Sequence, residues 1–499
     1  MTERPSLVYR ALRATVRTAL RLFYRTIEPT GLEHLAPPEG IDEPIPTILA
    51  CNHPNSIVDP LLLGMFEERQ ISFCARDGLF KIPVFGSVLS SVGAIPIKRR
   101  SEHAGGADNS GAFTAAQRVL EKGGVLAIFP EGKTHGNLRI EPLKTGAARI
   151  ALGVDLAKAG RLRIVPVGVT YLVRHAFRSD VHVAFGEPIE IDAGSYAGEP
   201  RDRPENVVAL TGRMGTALRD LAVHIEKTED ERLIAQVTSI VVGIRSDEGL
   251  DAGGQNPAER TALVRRVVDA YRWLSATDPE RTVTLRERID RFMTEREELG
   301  LGGERPALQH RGERAAFKGA ARVAFLALGA PLAAFGLATS LPPYAALRAA
   351  MGLVPVTMDR QALFKLLGGA AVFSAAYAVE IATVNHLFGP IAATLFGAAL
   401  IPAALFARRY VIETRLHRLQ LRSIRSFRGG RLAELQAERK ALAAELATLR
   451  KQYLEQQTQP APAWSWRLLS SGSKPRACDR RRGRGARGAG CGRCLRAPG

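Results

Sequence analysis

The chain has 499 residues, of which 46% are hydrophobic, and this is enough for buried cores in roughly two or three domains. Its 69 lysines and arginines exceed its 50 aspartates and glutamates, so the formal net charge is 69 − 50 = +19. On charge alone, anionic lipid, acidic substrates and nucleic acid all suit this chain. Five cysteines in a chain of this length exclude a small disulfide scaffold and indicate a reducing compartment.

The first predicted element is a basic amphipathic helix over residues 6–25, within a segment that we delimit as 1–28. Two sets of residues recur at helical spacing on different faces, Arg10, Arg13, Arg17 and Arg21 on one and Leu12, Val16, Leu20 and Phe23 on the other. Such a helix suits a membrane interface, although a surface helix packed on its own domain shows the same pattern. It lacks the apolar run and cleavage site of a secretory signal peptide.

A polar run with a histidine and an aspartate follows the apolar strand predicted over residues 47–50. It reads Cys51-Asn52-His53-Pro54-Asn55-Ser56-Ile57-Val58-Asp59-Pro60. Histidine can take a proton from a hydroxyl near neutral pH, and a carboxylate beside it fixes its tautomer and stabilises the imidazolium. His53 and Asp59 are therefore a candidate base and partner, with a helix cap or a surface hydrogen bond as the alternative for such a pair.

Three further apolar stretches end in features that suit a binding site. The segment 93–97 leads into the cations Lys98, Arg99 and Arg100, which suit a phosphate group or form a solvated basic turn. The strand 125–129 leads into Pro130-Glu131-Gly132-Lys133-Thr134-His135, and a buried strand is predicted over 164–171. Ligands of open α/β sheets bind at the carboxyl edge of the strands, where such polar groups collect.

These pieces occur in the order of a known set of signatures. The motifs His-x5-Asp, Gly-x-Ile-Pro-Ile-x-Arg, Phe-Pro-Glu-Gly and Val-Pro-Val-Gly over residues 51–170 resemble the four blocks of the glycerolphosphate and lysophospholipid O-acyltransferase superfamily. Segments 143–152 and 185–189 are similar to those that follow the third and fourth blocks. The resemblance covers about residues 30–195. It implies an α/β acyltransferase domain, a mixed sheet flanked by helices, which we delimit as 29–200.

The resemblance also implies roles for residues of the first three blocks. His53 would be the general base that deprotonates the acceptor hydroxyl, and Asp59 would orient its imidazole. Arg99, with Lys98 beside it, would hold the glycerol-phosphate head. In the third block, Glu131 would help to position the acceptor.

Two positions depart from the family pattern. Five residues separate the histidine from the aspartate, where four are commonest, a variant that also occurs in a branch resembling fungal-type glycerol-3-phosphate acyltransferases. The third block matches at Glu131 and Gly132 but continues with Lys133-Thr134-His135, where Thr or Ser and then Arg or Ser are usual. We therefore take Gly132, Lys133 and His135 as candidate substrate contacts only.

The function implied is acyl transfer from an acyl thioester to a hydroxyl of a glycerol-phosphate or lysophospholipid acceptor in phospholipid synthesis. Acyl-coenzyme A or acyl carrier protein would be the co-substrate, with membrane lipids as further partners. No metal, bound redox cofactor or nucleic acid is expected, because this chemistry needs a base, positioning and an oxyanion stabiliser. The alternatives are a hydrolase with the same histidine, disfavoured by the lack of a Gly-x-Ser-x-Gly motif in residues 1–200, and a non-enzymatic basic scaffold.

The second half of the chain changes composition twice. Residues 201–310 are charged, and their pattern predicts a soluble helical extension whose function the sequence does not show. Residues 320–410 are apolar and are predicted to be membrane segments. Length permits three spans, but the arginines after residue 407 favour an even number of crossings with the catalytic domain facing the cytoplasm. One stretch would then be interfacial or re-entrant. Glu380 is either functional or part of a hairpin turn near Asn385 and Gly389, and we favour the turn.

Residues 427–457 predict a short coiled coil through a heptad pattern of leucines, which indicates a homodimer, packing back on the domain or a single amphipathic helix. The basic tail, residues 467–499, predicts disorder. Its Cys491-Gly492-Arg493-Cys494 lacks the second cysteine pair of a structural zinc site.

Overall fold

The computed structural model describes residues 5–37, 43–82, 85–98, 108–174, 176–192, 194, 196, 201–247, 256–298, 313–353, 361–426 and 431–458. The chain divides into two compact units, Met1–Thr448 and Leu449–Gly499. The sheet and nearly all of the helices belong to the first unit. The predicted tail 467–499 and the arginine at position 99 lie outside the described residues.

The strands are β1 (Thr26–Thr30), β2 (Thr47–Cys51), β3 (Ile71–Arg76), β4 (Ile95–Ile97), β5 (Val125–Ile128), β6 (Leu162–Tyr171), β7 (Asp180–Phe185) and β8 (Ile189–Ile191). The helices are α1 (Leu7–Phe23), α2 (Val58–Phe66), α3 (Asp77–Phe80), α4 (Phe85–Ser91), α5 (Ser110–Glu121), α6 (Gly146–Leu152), α7 (Leu156–Ala159), α8 (Pro204–Leu221), α9 (Thr228–Asp247), α10 (Pro257–Thr277), α11 (Pro279–Glu298), α12 (Glu313–Leu353), α13 (Gln361–Phe388), α14 (Pro390–Ser426) and α15 (Arg431–Thr458). A 3-10 helix spans Leu32–Leu35.

The strands form one mixed sheet, which confirms the fold class that the motifs implied. Within the described residues it has eight strands in the order β1-β7-β6-β2-β5-β3-β4, with β8 beside the first half of β6. The central strands β6, β2, β5, β3 and β4 are mutually parallel, whereas β7 and β8 run antiparallel to β6. Parallel strands of this kind are covered on both faces, so they read as continuous apolar runs in the sequence.

Alternate residues of the central strands face two separate apolar cores. In β2, Leu49 and Cys51 join one core with α1 and α2, whereas Ile48 and Ala50 join the other with α5, α6 and α8. This alternation follows from the two-residue period of a strand. The sheet is therefore the middle layer between two layers of helices, and its edges are left for the loops that carry chemistry.

Helix α1 belongs to the domain. Its residues Leu20 and Phe23 are buried in the core under β2, and Arg13 donates from Nε to the Gly64 carbonyl oxygen at 2.8 Å. The structure shows one face of the helix packed on its own domain, and a membrane-interface role for its basic face stays a prediction. The chain then enters the sheet at Thr26, within the segment 1–28 that we had delimited as a helix.

Helix α8 also packs on the sheet, so the boundary that we placed at residue 200 falls before the last element of the core. A Cβ on Gly168 would lie 2.8 Å from Leu221 Cβ, which shows how closely β6 approaches the end of α8. Helices α9, α10 and α11 follow as the predicted extension. Within it, Asp230 of α9 accepts hydrogen bonds from Tyr271 Oη at 2.8 Å and from Arg286.

Three helices in the part of the chain that the structure describes are long and apolar enough to cross a membrane. Their apolar spans are Ala324–Leu353, Phe364–Phe388 and Pro390–Arg415. The last two form a hairpin at Gly389, whose φ of +84° favours glycine. Glu380 lies within α13, so our expectation that it belongs to the turn is wrong. Nothing between it and Phe388 breaks the helix.

Both ends of this hairpin lie against the acyltransferase-like domain. Leu366, near the start of α13, belongs to the same buried cluster as Leu20 and Phe23, and Arg408 of α14 donates to the Phe177 carbonyl oxygen at 2.9 Å. If both helices cross a membrane, a hairpin whose ends lie on one side makes two crossings. The expected even count and the cytoplasmic orientation stay predictions.

Helix α15 packs against its own chain, and a coiled coil is not shown. Leu435 and Leu442, two of the predicted heptad positions, are buried in this single chain. Glu438 accepts from Arg288 of α11 at 2.9 Å, and Arg439 lies beside Gly243 of α9. A heptad pattern marks an apolar seam but does not say which surface covers it. Here Glu438 and Arg439 lie against the extension, which agrees with packing on the chain itself, and a homodimer through 427–457 stays a prediction.

A buried histidine in the sheet predicts a pH dependence of stability. Burial, helped by the charge of Arg265, lowers the pKa of His182 to about 4, and its Nε2 lies 2.9 Å from Thr30 Oγ1. The unfolded chain would take up this proton near pH 6.5, so folding stability should fall between about pH 6.5 and 4, by on the order of 3 kcal/mol. Thermal unfolding across this range should show a steeper loss in the parent than in His182→Gln. Equal slopes would contradict the assignment.

Candidate active site

Two neighbouring strands bring the first and third motifs together. Strands β2 and β5 are parallel, with Ala50 paired to Ile128, so their carboxyl ends share one edge of the sheet. His53 follows β2 and Glu131 follows β5 at that edge. The His53 backbone N–H donates to Glu131 Oε1 at 2.9 Å, which joins the two loops directly.

Asn52 fixes the point at which the chain leaves β2. Its side-chain Nδ2 donates to the Val169 carbonyl oxygen at 3.0 Å, and its Oδ1 accepts from the Val169 N–H at 2.7 Å. The Asn52 side chain thus extends the hydrogen bonding between β2 and β6 beyond Cys51, the last residue of β2. Held in this way, the following loop presents His53 at the edge of the sheet.

His53 and Asp59 form a hydrogen-bonded pair. His53 Nδ1 lies 2.9 Å from Asp59 Oδ2, and the Asp59 side chain is fully buried in the first turn of α2. The loop between them contains Ser56 in the left-handed region at φ +48°, so a spacing of five residues still brings the two side chains together. With Nδ1 occupied by Asp59, Nε2 is the ring nitrogen left to exchange a proton with a substrate.

The buried Asp59 carboxylate has two more donors. The Asn55 backbone N–H donates to Oδ2 at 2.8 Å, and Tyr171 Oη donates to Oδ1 at 2.6 Å. Hydrogen bonds to an ionised carboxylate are among the strong ones in proteins. Burial, with the Asp59 charge, raises the pKa of the Tyr171 hydroxyl well above its ordinary value, so this group stays a donor.

The imidazole of His53 stacks on a phenyl ring. The ring centroids of His53 and Phe129 are 4.1 Å apart with an interplanar angle of 22°. The His53 side chain is 16% exposed. Packing against one face while the Nδ1 edge is hydrogen-bonded restricts rotation of the ring, which is the preorganisation that proton transfer needs.

Both oxygens of the Glu131 carboxylate are occupied by protein groups. Oε1 accepts from His53 N–H, whereas Oε2 accepts from the Glu141 N–H at 2.8 Å and lies against His135 Nε2. Glu131 is buried. We name these three residues, Glu131, His135 and Glu141, the carboxylate clamp, because they bind the loop after β5 to the backbone of His53.

His135 is electrostatically coupled to this clamp. Burial opposes its protonation, but the hydrogen bond and charge of Glu131, with the charge of Glu141, outweigh burial and raise the pKa of His135 above its ordinary value. Arg174 Nη1 donates to the His135 carbonyl oxygen at 3.2 Å, which ties the clamp to the turn after β6. The third block's departure from the family pattern thus adds an imidazole that pairs with the glutamate.

Comparison with known proteins agrees with this geometry. Residues 27–170 match the family model described as Acyltransferase. This segment is an acyltransferase-family domain. It contains both strands that carry the dyad and the clamp, together with β6 almost to its end.

Relatives with this domain carry lipid acyltransferase names. The chain is 36% identical over 103 residues to glycerol-3-phosphate O-acyltransferase 2 of Saccharomyces cerevisiae, covering 20% of this chain and 14% of the relative. It is 28% identical over 192 residues to 1-acyl-sn-glycerol-3-phosphate acyltransferase BAT2 of Brassica napus, covering 38% and 51%. The chain therefore spans about half or less of the length of these relatives.

A solved structure is also similar in part. The 1-acyl-sn-glycerophosphate acyltransferase PlsC from Thermotoga maritima is 19% identical, with a TM-score of 0.29, covering 43% of this chain and 81% of that one. A similarity at this TM-score does not by itself establish a common fold. The layers and strand order of the acyltransferase domain come from its own structure.

The structure places the other predicted site residues of the acyltransferase domain in different settings. Gly132 has φ +70° and turns the chain beside Lys144. Lys133 is 58% exposed, with Nζ 3.6 Å from Glu141 Oε2. Lys98 is exposed at the end of β4, two strands beyond β5, and its backbone exchanges hydrogen bonds with the Asn109 side chain. Arg99, the predicted phosphate ligand, lies outside the described residues.

Sequence reasoning missed four contributors to the site, which are Asn55, Phe129, Tyr171 and Arg174. Asn55 donates from Nδ2 to Tyr24 Oη at 3.2 Å in addition to its backbone bond to the dyad. Tyr171 had a usable signal, because it is the polar end of a buried strand beside β2. Phe129 stood in the Phe-Pro-Glu-Gly motif, but nothing in the motif pointed to a ring stacked on His53, and Arg174 had no signal.

The helical extension holds the loop that carries the clamp. The Leu138 N–H donates to Glu231 Oε1 of α9 at 2.7 Å, and the Ile225 N–H donates to the Leu138 carbonyl oxygen at 2.6 Å. The Ile140 N–H donates to His224 Nδ1 at 2.8 Å. These bonds give the extension a role that its sequence did not show. It positions residues 138–140 of the acyltransferase domain.

Glu131→Gln should weaken the clamp. An amide in place of the carboxylate cannot accept at both ends, so one of the two backbone N–H donors, from His53 or Glu141, would lose its acceptor. A buried donor left unsatisfied costs about 1–3 kcal/mol. We expect a lower unfolding temperature in the variant and little change in Lys133→Ala, whose exposed ion pair contributes about 0–1 kcal/mol. Equal unfolding temperatures for parent and Glu131→Gln would contradict the clamp.

Proposed function

We propose that this chain transfers an acyl group from an acyl thioester to a hydroxyl of a glycerol-phosphate or lysophospholipid acceptor. The hydrogen-bonded pair of His53 and Asp59, at the carboxyl edge of an acyltransferase-family domain, is the observation that carries the proposal. The names of the relatives support an acceptor of this class.

In the proposed reaction His53 is the general base. Its Nε2 takes the proton of the acceptor hydroxyl as that oxygen attacks the thioester carbonyl carbon. The buried Asp59 carboxylate, at 2.9 Å from Nδ1, stabilises the imidazolium that forms. The C–S bond then breaks, an ester is left on the acceptor, and the thiolate receives the proton as it leaves. Positioned general-base catalysis of this kind contributes about 10²–10⁴-fold to the rate.

Glu131 acts in this proposal through the backbone of His53. Its carboxylate oxygens accept from the His53 and Glu141 N–H groups and lie against His135, so its contribution is to hold the base in place. Direct contact of Glu131, Gly132, Lys133 or His135 with the acceptor stays a prediction.

The acceptor phosphate is assigned to the basic segment after β4. Lys98 lies at the carboxyl end of β4, at the same edge of the sheet as the dyad, and Arg99 follows it in the sequence. Arginine and lysine are the side chains that bind phosphate best. The donor is proposed to be acyl-coenzyme A or acyl carrier protein, with no metal or bound redox cofactor. The apolar helices support a site at the membrane.

An acceptor panel tests the proposal. Membranes carrying the chain receive acyl-coenzyme A with no acceptor, glycerol 3-phosphate or 1-acylglycerol 3-phosphate, and thiol release is measured. Release that depends on an acceptor is expected, and it would name the substrate. Release without any acceptor would indicate a hydrolase. If acyl carrier protein as the donor also gave no release, the scaffold interpretation would replace the proposal.

A further inference from the structure

A cluster of arginines lies where the membrane hairpin meets the acyltransferase domain. Three separate parts of the chain contribute to it. Arg25 directly precedes β1, Arg178 lies in the turn between β6 and β7, and Arg408 lies in α14. That turn follows Tyr171, which bonds to Asp59, so the cluster flanks the catalytic edge of the sheet.

Arg408 is seated on the domain by two contacts. Its Nη2 donates to the Phe177 carbonyl oxygen at 2.9 Å, and its guanidinium carbon lies 5.6 Å from the centroid of the Phe177 ring. Phe177 in turn packs edge to face on Phe23 of α1, with centroids 5.7 Å apart. A guanidinium held on an aromatic face keeps its remaining N–H groups in a fixed orientation.

The other two arginines are also held in place. Arg178 Nη1 lies 3.4 Å from the carbonyl oxygens of Arg21 and Tyr24, at the carboxyl end of α1. Arg25 forms a two-point ion pair with Asp180, whose side chain is 4% exposed. Arg408 interacts electrostatically with both Arg178 and Arg25.

The charges within this group do not balance. Arg25 is paired with Asp180, whereas Arg178 and Arg408 contact backbone carbonyl oxygens and an aromatic ring, so these four side chains sum to 3 − 1 = +2. Like charges at short range repel, and an anion placed among them removes the repulsion. Guanidinium groups with paired donors suit phosphate oxygens in particular.

The position of Arg408 along α14 indicates which kind of molecule would supply the phosphate. The helix is apolar from Ile391 to Ala407, and Arg408 is the first charged residue after that stretch. A helix that crosses a bilayer carries its first arginine at the headgroup layer. At this level the phosphate groups belong to lipids.

We propose that Arg25, Arg178 and Arg408 bind the phosphate headgroup of an anionic membrane phospholipid beside the catalytic edge. The site is distinct from the predicted acceptor contacts after β4 and does not depend on which acceptor is used. It would orient the domain on an anionic membrane.

Lipid-dependent thermal unfolding of the full chain tests the site. The parent, Arg408→Gln, Arg178→Gln and Arg409→Gln are reconstituted in nanodiscs of phosphatidylcholine with increasing phosphatidylglycerol. Each unfolding temperature is referred to that of the same protein in pure phosphatidylcholine, so a variant that is less stable at the outset is still informative. Arg409 is the matched control, because it neighbours Arg408 on the helix but lies over the Phe325 ring.

We expect phosphatidylglycerol to stabilise the parent and Arg409→Gln, with an apparent affinity about fivefold weaker in each of the other two variants. Arg408→Lys, which keeps the charge but loses the paired donors, should retain only part of the shift. A parent that does not distinguish the two lipids would overturn the proposal, as would an equal loss in Arg409→Gln. Inorganic phosphate that reproduces the shift would also overturn it, since the site would then be one for a soluble anion.

Discussion

Replacement of His53 by alanine is expected to lower acceptor-dependent acyl transfer by about 10²–10⁴-fold, the usual contribution of a positioned general base. The loss should appear in kcat and kcat/KM together, because the proton is taken up only in the transition state. The fold should survive, since the Asp59 carboxylate keeps its bonds from the Asn55 N–H and Tyr171 Oη. Thiol release in the presence of acceptor measures the loss.

His386→Ala is the matched control for this prediction. His386 is exposed near the end of α13, and it is a histidine outside the acyltransferase domain. Its activity should equal that of the parent at equal membrane content. Transfer by His53→Ala at the parental rate would show that His53 is not the general base. Another base, or the scaffold interpretation, would then replace it.

Asp59→Asn is expected to reduce transfer by up to about 10⁴-fold while leaving the site assembled. The amide oxygen can still accept from Asn55 and His53, and the amide nitrogen can face Tyr171 Oη, which would turn to accept. The charge that stabilises a protonated His53 is lost, although the amide oxygen still accepts from Nδ1. Steady-state kinetics with the acceptor identified by the panel measure this loss.

Tyr171→Phe tests how much a hydrogen bond to Asp59 contributes to activity, separately from the charge of Asp59. This variant removes one donor, at 2.6 Å, and leaves the carboxylate and its bond to His53 in place. A bond of this kind contributes about 1.5–3 kcal/mol, so the fall in activity should be about 10- to 150-fold, smaller than for Asp59→Asn. If Tyr171→Phe lost as much activity as Asp59→Asn, the tyrosine would have a direct part in the chemistry.

The catalytic edge could be predicted because its signals are local. Strands β2 and β5 are short apolar runs that stop abruptly, at Cys51 and Ile128. Parallel neighbours place their carboxyl ends together, so the motifs after both strands had to meet if the strands paired. The observed register, with Ala50 opposite Ile128, confirms that pairing.

The contacts that complete the site could not be predicted, because they join residues far apart in the chain. Tyr171 lies 112 residues from Asp59, and Glu231 lies 93 residues from the loop residue Leu138. One sequence can show that Tyr171 ends a buried strand, but it does not show that Tyr171 meets Asp59. The clamp is a clear case. The family pattern suggested a substrate contact for Glu131, whereas the folded chain fills both of its oxygens with protein groups.

Amphipathic patterns showed which helices bury an apolar face, but they did not show which surface covers that face. Helix α1 suited a membrane surface by sequence, and its apolar residues Leu20 and Phe23 face the sheet. Helix α15 suited a dimer, and Leu442 is buried in its own chain. Period alone gives an apolar stripe, and the covering surface is set by the tertiary fold.

The central claim is tested most directly by the fate of a labelled acyl group. Parent and His53→Ala membranes receive acyl-coenzyme A labelled in the acyl chain, with glycerol 3-phosphate or 1-acylglycerol 3-phosphate, and the lipid products are separated. We expect the label to appear as an ester on the acceptor in the parent, and to be lost from that product in His53→Ala. Label recovered as free fatty acid in the parent, or as the ester at equal rates in both, would contradict the account.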